Sequence, residues 1–118
     1  MKVLVSDNLA ESGIERLKNV SDLEVEVNTS LTHEELLQII KEYDALVIRS
    51  GTKVTEDIIE AAVNLKVIAR AGIGLDNVDI AAASKHGIVV MNTPEGNVIT
   101  TAEHTIAMLM AVRVRIRY

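Results

Sequence analysis

The sequence predicts an α/β fold: an open parallel sheet with helices wound over both faces. Three observations lead there. Five short runs rich in Val, Ile, Leu and Ala recur along the 118 residues, separated by helix-period segments of about ten residues. One run, Ala45-Leu46-Val47-Ile48, is apolar without a break, which suits a central strand covered on both faces. Phe, Trp and Cys are absent, and Tyr43 and Tyr118 are the only aromatic residues. The core must therefore be aliphatic, and disulfides and thiolate metal sites are excluded.

Each element has its own signal. Residues 2–6 read as the first strand. Residues 9–20 read as a helix with Ile14 and Leu17 on one face. Leu23-Glu24-Val25-Glu26-Val27 alternates strictly, so one face is wet and the strand belongs at an edge. Residues 32–43 form the clearest helix, in which Thr32 and Glu35 make a capping box and Leu36, Ile39 and Ile40 a buried stripe. After the strand at 45–48, Thr55 caps a helix carrying Ile58, Ile59 and Ala62. Residues 65–69 are the fourth strand, 78–85 a short helix closed by Gly87, and 88–91 the fifth strand. Right-handed crossovers and an edge position for the second strand favour the flavodoxin-like, doubly wound order 2-1-3-4-5.

The remainder departs from this rhythm. Residues 97–112 place Ile99, Ala102, Ile106, Leu109 and Met110 on a helix. Val112-Arg113-Val114-Arg115-Ile116-Arg117-Tyr118 then alternates apolar and basic, with three of the twelve bases in five residues. It reads either as a solvated end or as an extra C-terminal edge strand whose arginines discourage further pairing.

Composition removes several classes of function. Seventeen acids against twelve bases give a net charge of −5, which argues against binding a phosphate backbone. Without aromatic platforms, single-stranded nucleic acid has nothing to stack on. No apolar run reaches the ~18 residues needed to cross a bilayer. The chain opens directly on a strand-like run, so no nucleic acid or membrane partner is expected and the cytoplasm is the expected compartment. The histidines make no catalytic or metal-ligating set: His33 lies in the first turn of a helix, His86 near a helix end, and His104 beside Glu103 faces away from it. There is no HExxH, no nucleophile elbow and no P-loop.

In an open parallel sheet, ligands bind beyond the carboxyl ends of the strands. Ser6, Asp7 and Asn8 follow the first strand, and Arg49, Ser50, Gly51 and Thr52 the third. Arg70, Ala71, Gly72, Ile73 and Gly74 follow the fourth, and the stretch from Asn92 to Asn97 the fifth. Two arginines, two glycine turns and several small polar side chains on one rim suit a small anion. Gly72-Ile73-Gly74 reads either as a turn whose backbone N–H groups approach a carboxylate or phosphate, or as a tight strand-to-helix turn needing positive φ. It is not a dinucleotide fingerprint, because the third glycine position holds Asn77. Arg49 reads either as a bidentate anion contact or as half of an ion pair, and Asn92 and Asn97 also suit a turn and an N-cap.

The run Ala69-Arg70-Ala71-Gly72-Ile73-Gly74-Leu75-Asp76-Asn77-Val78-Asp79, then Val90-Met91-Asn92-Thr93-Pro94-Glu95-Gly96-Asn97, then Thr101-Ala102-Glu103-His104-Thr105, resembles the D-isomer-specific 2-hydroxyacid dehydrogenases. Ile48-Arg49-Ser50-Gly51-Thr52-Lys53-Val54-Thr55 and the opening Val3-Leu4-Val5-Ser6-Asp7 narrow it to the branch that oxidises 3-phosphoglycerate with NAD. The resemblance implies a flavodoxin-like substrate domain over residues 1–97, and a crossing helix with a tail foreign to the family over 98–118. In this family an inserted NAD domain carries the cofactor fingerprint, the catalytic histidine, its glutamate and the catalytic arginine. The sequence matches only the part before them. No catalytic residue is thus expected here, no cofactor is expected to be held by this stretch alone, and the tail reads as a truncated or engineered end.

Carried over by resemblance, Arg49 contacts a substrate phosphate or carboxylate, flanked by Ser50 and Gly51. The backbone of Ile73 and Gly74 holds the carboxylate, Ile73 also lies near the nicotinamide, and Asn97 is a contact near the hinge. A small anionic 2-hydroxy acid is the expected ligand. A half-site should hold it at millimolar affinity at best, about −4 kcal/mol. The apolar stripe from Ile99 to Met110 needs cover, worth about 1.5–3 kcal/mol per buried side chain. Either it folds back onto the sheet, or two chains exchange residues 98–118 in a homodimer. A phospho-receiver module, the competing reading, lacks its aspartate after the third strand, and a flavin module lacks its aromatics.

Overall fold

A computed structural model describes residues 1–114. In chain order the elements are β1 (Lys2–Val5), α1 (Glu11–Lys18), β2 (Glu24–Val27), α2 (His33–Ile39), a 3₁₀ turn (Ile40–Glu42), β3 (Ala45–Ile48), α3 (Glu56–Ala61), β4 (Val67–Arg70), α4 (Ile80–Lys85), β5 (Val89–Met91) and α5 (Val98–Val114). The five strands are all parallel, in the order β2-β1-β3-β4-β5. This is the predicted flavodoxin-like order, with the alternating strand β2 at one edge.

The winding places the helices. The chain moves one way from β1 to β2, then back past β1 to β3 and on to β5. With right-handed crossovers, α1 falls on one face and α2, α3 and α4 on the other. The face toward α2–α4 holds the main core: Leu4, Leu46 and Ile68 are fully buried against Leu36, Ile40, Ile58, Ile59, Ala82 and Ala83. On the opposite face Val3 and Val5 are buried, Val47 is half-buried, and Val89 and Met91 are exposed. Cover on both faces is thus complete only on the β1 side of the sheet.

Local signals explain most ends. Thr32 and Glu35 form the capping box, and α2 tightens into a 3₁₀ turn that carries the buried Ile40, with Ile39 half-buried. Asp79 caps α4 by accepting from the Ala82 N–H at 2.9 Å. Gly87 ends that helix at φ +70°, a conformation that costs glycine nothing. Tyr43 is buried under the sheet edge and donates to Glu26 at 2.6 Å. Burial first, then the Glu26 bond, pushes the phenol well above its usual range.

Thr55 does not cap α3 through its side chain. Its hydroxyl donates instead to Asp57, which also meets His33 Nε2 at 2.7 Å and accepts from the Ile58 N–H. The Thr55 hydroxyl and then His33 hold the Asp57 carboxyl down at about 2, against an ordinary 3.8. With the folded value below the unfolded one, this contribution is present above the unfolded value and is lost as pH falls from 3.8 toward about 2. The melting-temperature difference between the parent chain and Asp57→Asn should therefore shrink across that acid window. A difference that stays constant there removes Asp57 from the acid response.

Two expectations about the last segment are corrected. Val112 to Val114 continue α5 and do not begin an edge strand, because an unbroken run of helix formers carries the backbone through them. Residues 115–118 of that expected strand lie outside the described residues. Nor does α5 fold back onto the sheet: Ile99, Ile106, Leu109 and Val112 are all more than 60% exposed. The helix extends outward, and the molecule measures 55 × 32 × 23 Å. Among the described residues no helix is long and apolar enough to cross a membrane.

Candidate functional site

The strand order reverses between β1 and β3, so the crevice at a doubly wound switch point opens beyond Val5 and Ile48. A cleft of about 820 Å³ lies beside it, between the β3 and β4 turns and the first half of α5. Arg49, Ser50, Ile73, Gly74 and Asn97 line it, together with Arg70, Thr101 and Thr105. Five of the six predicted site residues thus share one cleft. The sixth, Gly51, turns to a neighbouring cavity of about 470 Å³ beside Ser6, Asp7 and Thr52. It sits there because a Cβ would come within 2.6 Å of Asp7 Oδ1, so its role is close approach and not cleft lining.

Arg49 is not half of an ion pair. Its guanidinium donates to the Asn8 carbonyl at 3.1 Å, and its backbone N–H donates to Asp7 Oδ2 at 2.6 Å. Among the described residues no carboxylate lies within salt-bridge distance of Arg49 or Arg70. Arg70 curls over its own turn, donating to the Gly74 carbonyl and, at 3.4 Å, to the Arg49 carbonyl. Gly72 and Gly74 make room for that curl: a Cβ on either would meet Arg70 Nη1 at 3.2 Å. This corrects the reading of the turn as one that needs positive φ, a conformation only Gly87 among the glycines adopts. It also lies well before a helix, since α4 begins six residues past Gly74 at Ile80.

The carbonyls of these turns are held on one side. Asn92 Nδ2 donates to the Ile73 carbonyl at 2.8 Å and the Thr93 N–H to the Gly72 carbonyl at 3.0 Å. Asn77 Nδ2 donates to the carbonyls of Arg49 at 2.6 Å and Thr52 at 2.7 Å. In a trans peptide the N–H points opposite to the C=O of the same unit. Holding the carbonyls of Gly72, Ile73 and Arg49 therefore aims the N–H groups of Ile73, Gly74 and Ser50 the other way. Among the described residues those three N–H groups meet no protein acceptor. Two guanidinia and three directed donors on one rim, with no carboxylate paired to them, can hold a small anion. Val98, Ala102, Ile106 and Ile73 add an apolar wall.

Asn97 stands at the start of α5, where its carbonyl accepts from the Thr101 N–H at 2.9 Å. Arg70, Thr101 and Thr105 were not among the predicted contacts. Arg70 was visible as a second cation on the rim, whereas nothing in the sequence aims α5 back across the turns. The His33–Asp57 pair was also missed, because 24 residues separate its members and no local spacing reveals it. His86 Nδ1 lies 2.9 Å from the Ala82 carbonyl, a helix-end contact as expected. Among the described residues no cluster of His, Cys, Asp or Glu could hold a metal ion.

A dinucleotide does not fit these turns as a cradle. Asn77 occupies the third glycine position and is committed to the Arg49–Thr52 turn, and no helix N-terminus follows Gly74 directly.

Comparisons with known proteins agree with this architecture. A family model described as "D-isomer specific 2-hydroxyacid dehydrogenase, catalytic domain" matches residues 3–114. A D-3-phosphoglycerate dehydrogenase of Synechocystis sp. is 54% identical over 111 residues, which are 94% of this chain and 20% of that protein. A hydroxypyruvate reductase of Thermotoga maritima is 48% identical over 110 residues, 93% of this chain and 36% of that protein. The crystal structure of an NAD⁺-bound 3-phosphoglycerate dehydrogenase of Entamoeba histolytica superposes with a TM-score of 0.80 at 37% identity, over 94% of this chain and 38% of that one. The chain thus spans about a fifth of the length of the first curated relatives it matches.

Proposed function

Since the chain belongs to the D-isomer specific 2-hydroxyacid dehydrogenase family, we propose that it is the substrate-gripping lobe of a cytoplasmic, NAD-dependent D-3-phosphoglycerate dehydrogenase. The observation that carries this reading is the sorted polarity of the cleft. Its turn carbonyls are engaged, while among the described residues the N–H groups of Ser50, Ile73 and Gly74 meet no acceptor and the two guanidinia donate only to backbone carbonyls, with no carboxylate in salt-bridge distance. A phosphorylated 2-hydroxy acid has two anionic ends. The N–H groups of Ile73 and Gly74 hold the carboxylate. Arg49, flanked by Ser50 and the backbone of Gly51, takes the other end, and Asn97 closes the cleft from α5. NAD, when bound, supplies the hydride acceptor. This chain's contact with it is the side chain of Ile73, and its own residues bind and orient the substrate. Taken alone, the chain binds without turnover.

Titration of the ¹⁵N-labelled chain with D-3-phosphoglycerate tests this reading. Shifts should concentrate at Ser50, Ile73, Gly74 and Asn97, with a Kd in the millimolar range, about −4 kcal/mol. D-Glycerate, lacking the phosphate, should bind several-fold more weakly, and Arg49→Gln should erase that difference. Equal affinity for both ligands, or shifts spread evenly over the sheet, would refute the assignment.

A further inference from the structure

The Arg49–Thr52 turn is gripped from two sides at the same two residues. Asp7 Oδ2 accepts from the N–H groups of Arg49 at 2.6 Å and Thr52 at 3.0 Å. Asn77 Nδ2 donates to the carbonyls of the same two residues, at 2.6 and 2.7 Å. Two carbonyl oxygens at those distances can be answered only by the amide nitrogen, so the orientation of the Asn77 side chain is chemically forced. Its Oδ1 is buried with no hydrogen-bond partner among the described residues. A buried polar atom is left unsatisfied here so that both amide hydrogens reach the turn.

We propose that Asn77 is a positioning residue for anion binding, acting through the shape of the Arg49–Thr52 turn. The inference rests on the anion-binding reading given above. Asn77 itself does not line the anion cleft; it lies on a separate cavity with Lys53, Asp76 and Asp79. Its hold on the Arg49 carbonyl turns the Ser50 N–H of the same peptide unit away from it. Asp7 fixes the preceding peptide unit from the other side. Between them the backbone that carries the Arg49 side chain has little freedom left. The Arg49 carbonyl also accepts from Arg70 Nε at 3.4 Å, so the same grip ties the two cations of the cleft together.

Two variants and two readouts test this. Asn77→Asp sets an oxygen against the two carbonyls, and Asn77→Ala removes the donor without adding charge. In the ligand-free chain, amide exchange at Arg49 and Thr52 should speed up about tenfold in both variants, with Val47 and Ile48 unchanged. The Kd for D-3-phosphoglycerate should rise about tenfold in either variant, yet less than about twofold when Asn77→Ala is added to Arg49→Gln. Unchanged exchange at Arg49 and Thr52 overturns the proposal, and so does full additivity with Arg49→Gln, which marks a general structural role. If the parent chain shows no shifts with D-3-phosphoglycerate, the functional reading fails by itself. The exchange arm then still decides: retained protection refutes the grip, and lost protection upholds it.

Discussion

Leu46→Ala is expected to cost about 2–5 kcal/mol and to lower the melting temperature by roughly 10–20 °C. The size follows from where the register puts this side chain. Leu46 pairs with Leu4 on one side and Ile68 on the other, and all three are 0% exposed. They form a row across the middle of the sheet, under α2, α3 and α4. The cavity left by truncation is walled by the Leu4 and Ile68 side chains and roofed by the core residues of the helices, all already packed, so the loss includes a cavity term as well as a transfer term. The chain has no Phe or Trp to swing over, and the buried aromatic Tyr43 is tied to Glu26 through its hydroxyl. A domain of this size has roughly 5–15 kcal/mol in hand, so one such change removes a large fraction of it. Val89→Ala provides the contrast. It lies on the edge strand at 58% exposure, and its cost should stay within about 0.5 kcal/mol. Urea unfolding of both variants checks this, and equal costs would mean that β3 is not the centre of the sheet.

The same row shows why so much of the fold could be read from the sequence. Ala45-Leu46-Val47-Ile48 is unbroken because both faces of the central strand β3 are covered at least in part, and Leu23-Glu24-Val25-Glu26-Val27 alternates because the edge strand β2 leaves its glutamates in water. Thr32 and Glu35 of the capping box, and Gly87 at the end of α4, sit at the helix ends they close, so their signals are local. The rim on which the expected contacts lie was legible in the same measure. Which loops share a rim follows from strand order alone, and five of the six expected contacts meet there. What the sequence could not show was contact across distance in the chain. Asp7 reaches a turn more than forty residues away, Asn77 reaches back to Arg49 and Thr52, and His33 finds Asp57 on another helix. The tail misled for a related reason. Val112-Arg113-Val114 alternates like a strand, yet three residues at the end of an established helix extend it more readily than they nucleate a sheet edge with no partner.

Gly51→Ala is expected to damage both stability and binding, although the residue does not line the anion cleft. An added methyl would come within 2.6 Å of Asp7 Oδ1. Asp7 can retreat only by giving up what its other oxygen holds, the N–H groups of Arg49 and Thr52. Hydrogen bonds to a charged group contribute about 1.5–3 kcal/mol each, and the desolvated donors left behind add to the loss. The melting temperature should fall by roughly 5–15 °C, and the affinity for D-3-phosphoglycerate should fall by about tenfold or more as the Arg49–Thr52 turn slackens. Two other glycines separate this mechanism from a general intolerance of methyl groups. At Gly74 the new Cβ would meet the side-chain ends of Asp76 and Arg70 at 2.9 and 3.2 Å; the Asp76 carboxylate can swing aside, and the longer contact asks the Arg70 guanidinium to give by only a few tenths of an ångström. Gly74→Ala should therefore cost less than about 1 kcal/mol. Gly13 lies inside α1, where an added methyl would find nothing within 4 Å, so Gly13→Ala should stabilise the chain by about 0.5–1 kcal/mol through helix propensity. Asp7→Ala, which clears the space but also removes the acceptor, should reproduce the Gly51→Ala loss without adding to it when the two are combined. Additive losses in that double variant would show that Gly51 and Asp7 act separately, and would break the link between the crowded turn and the anion site.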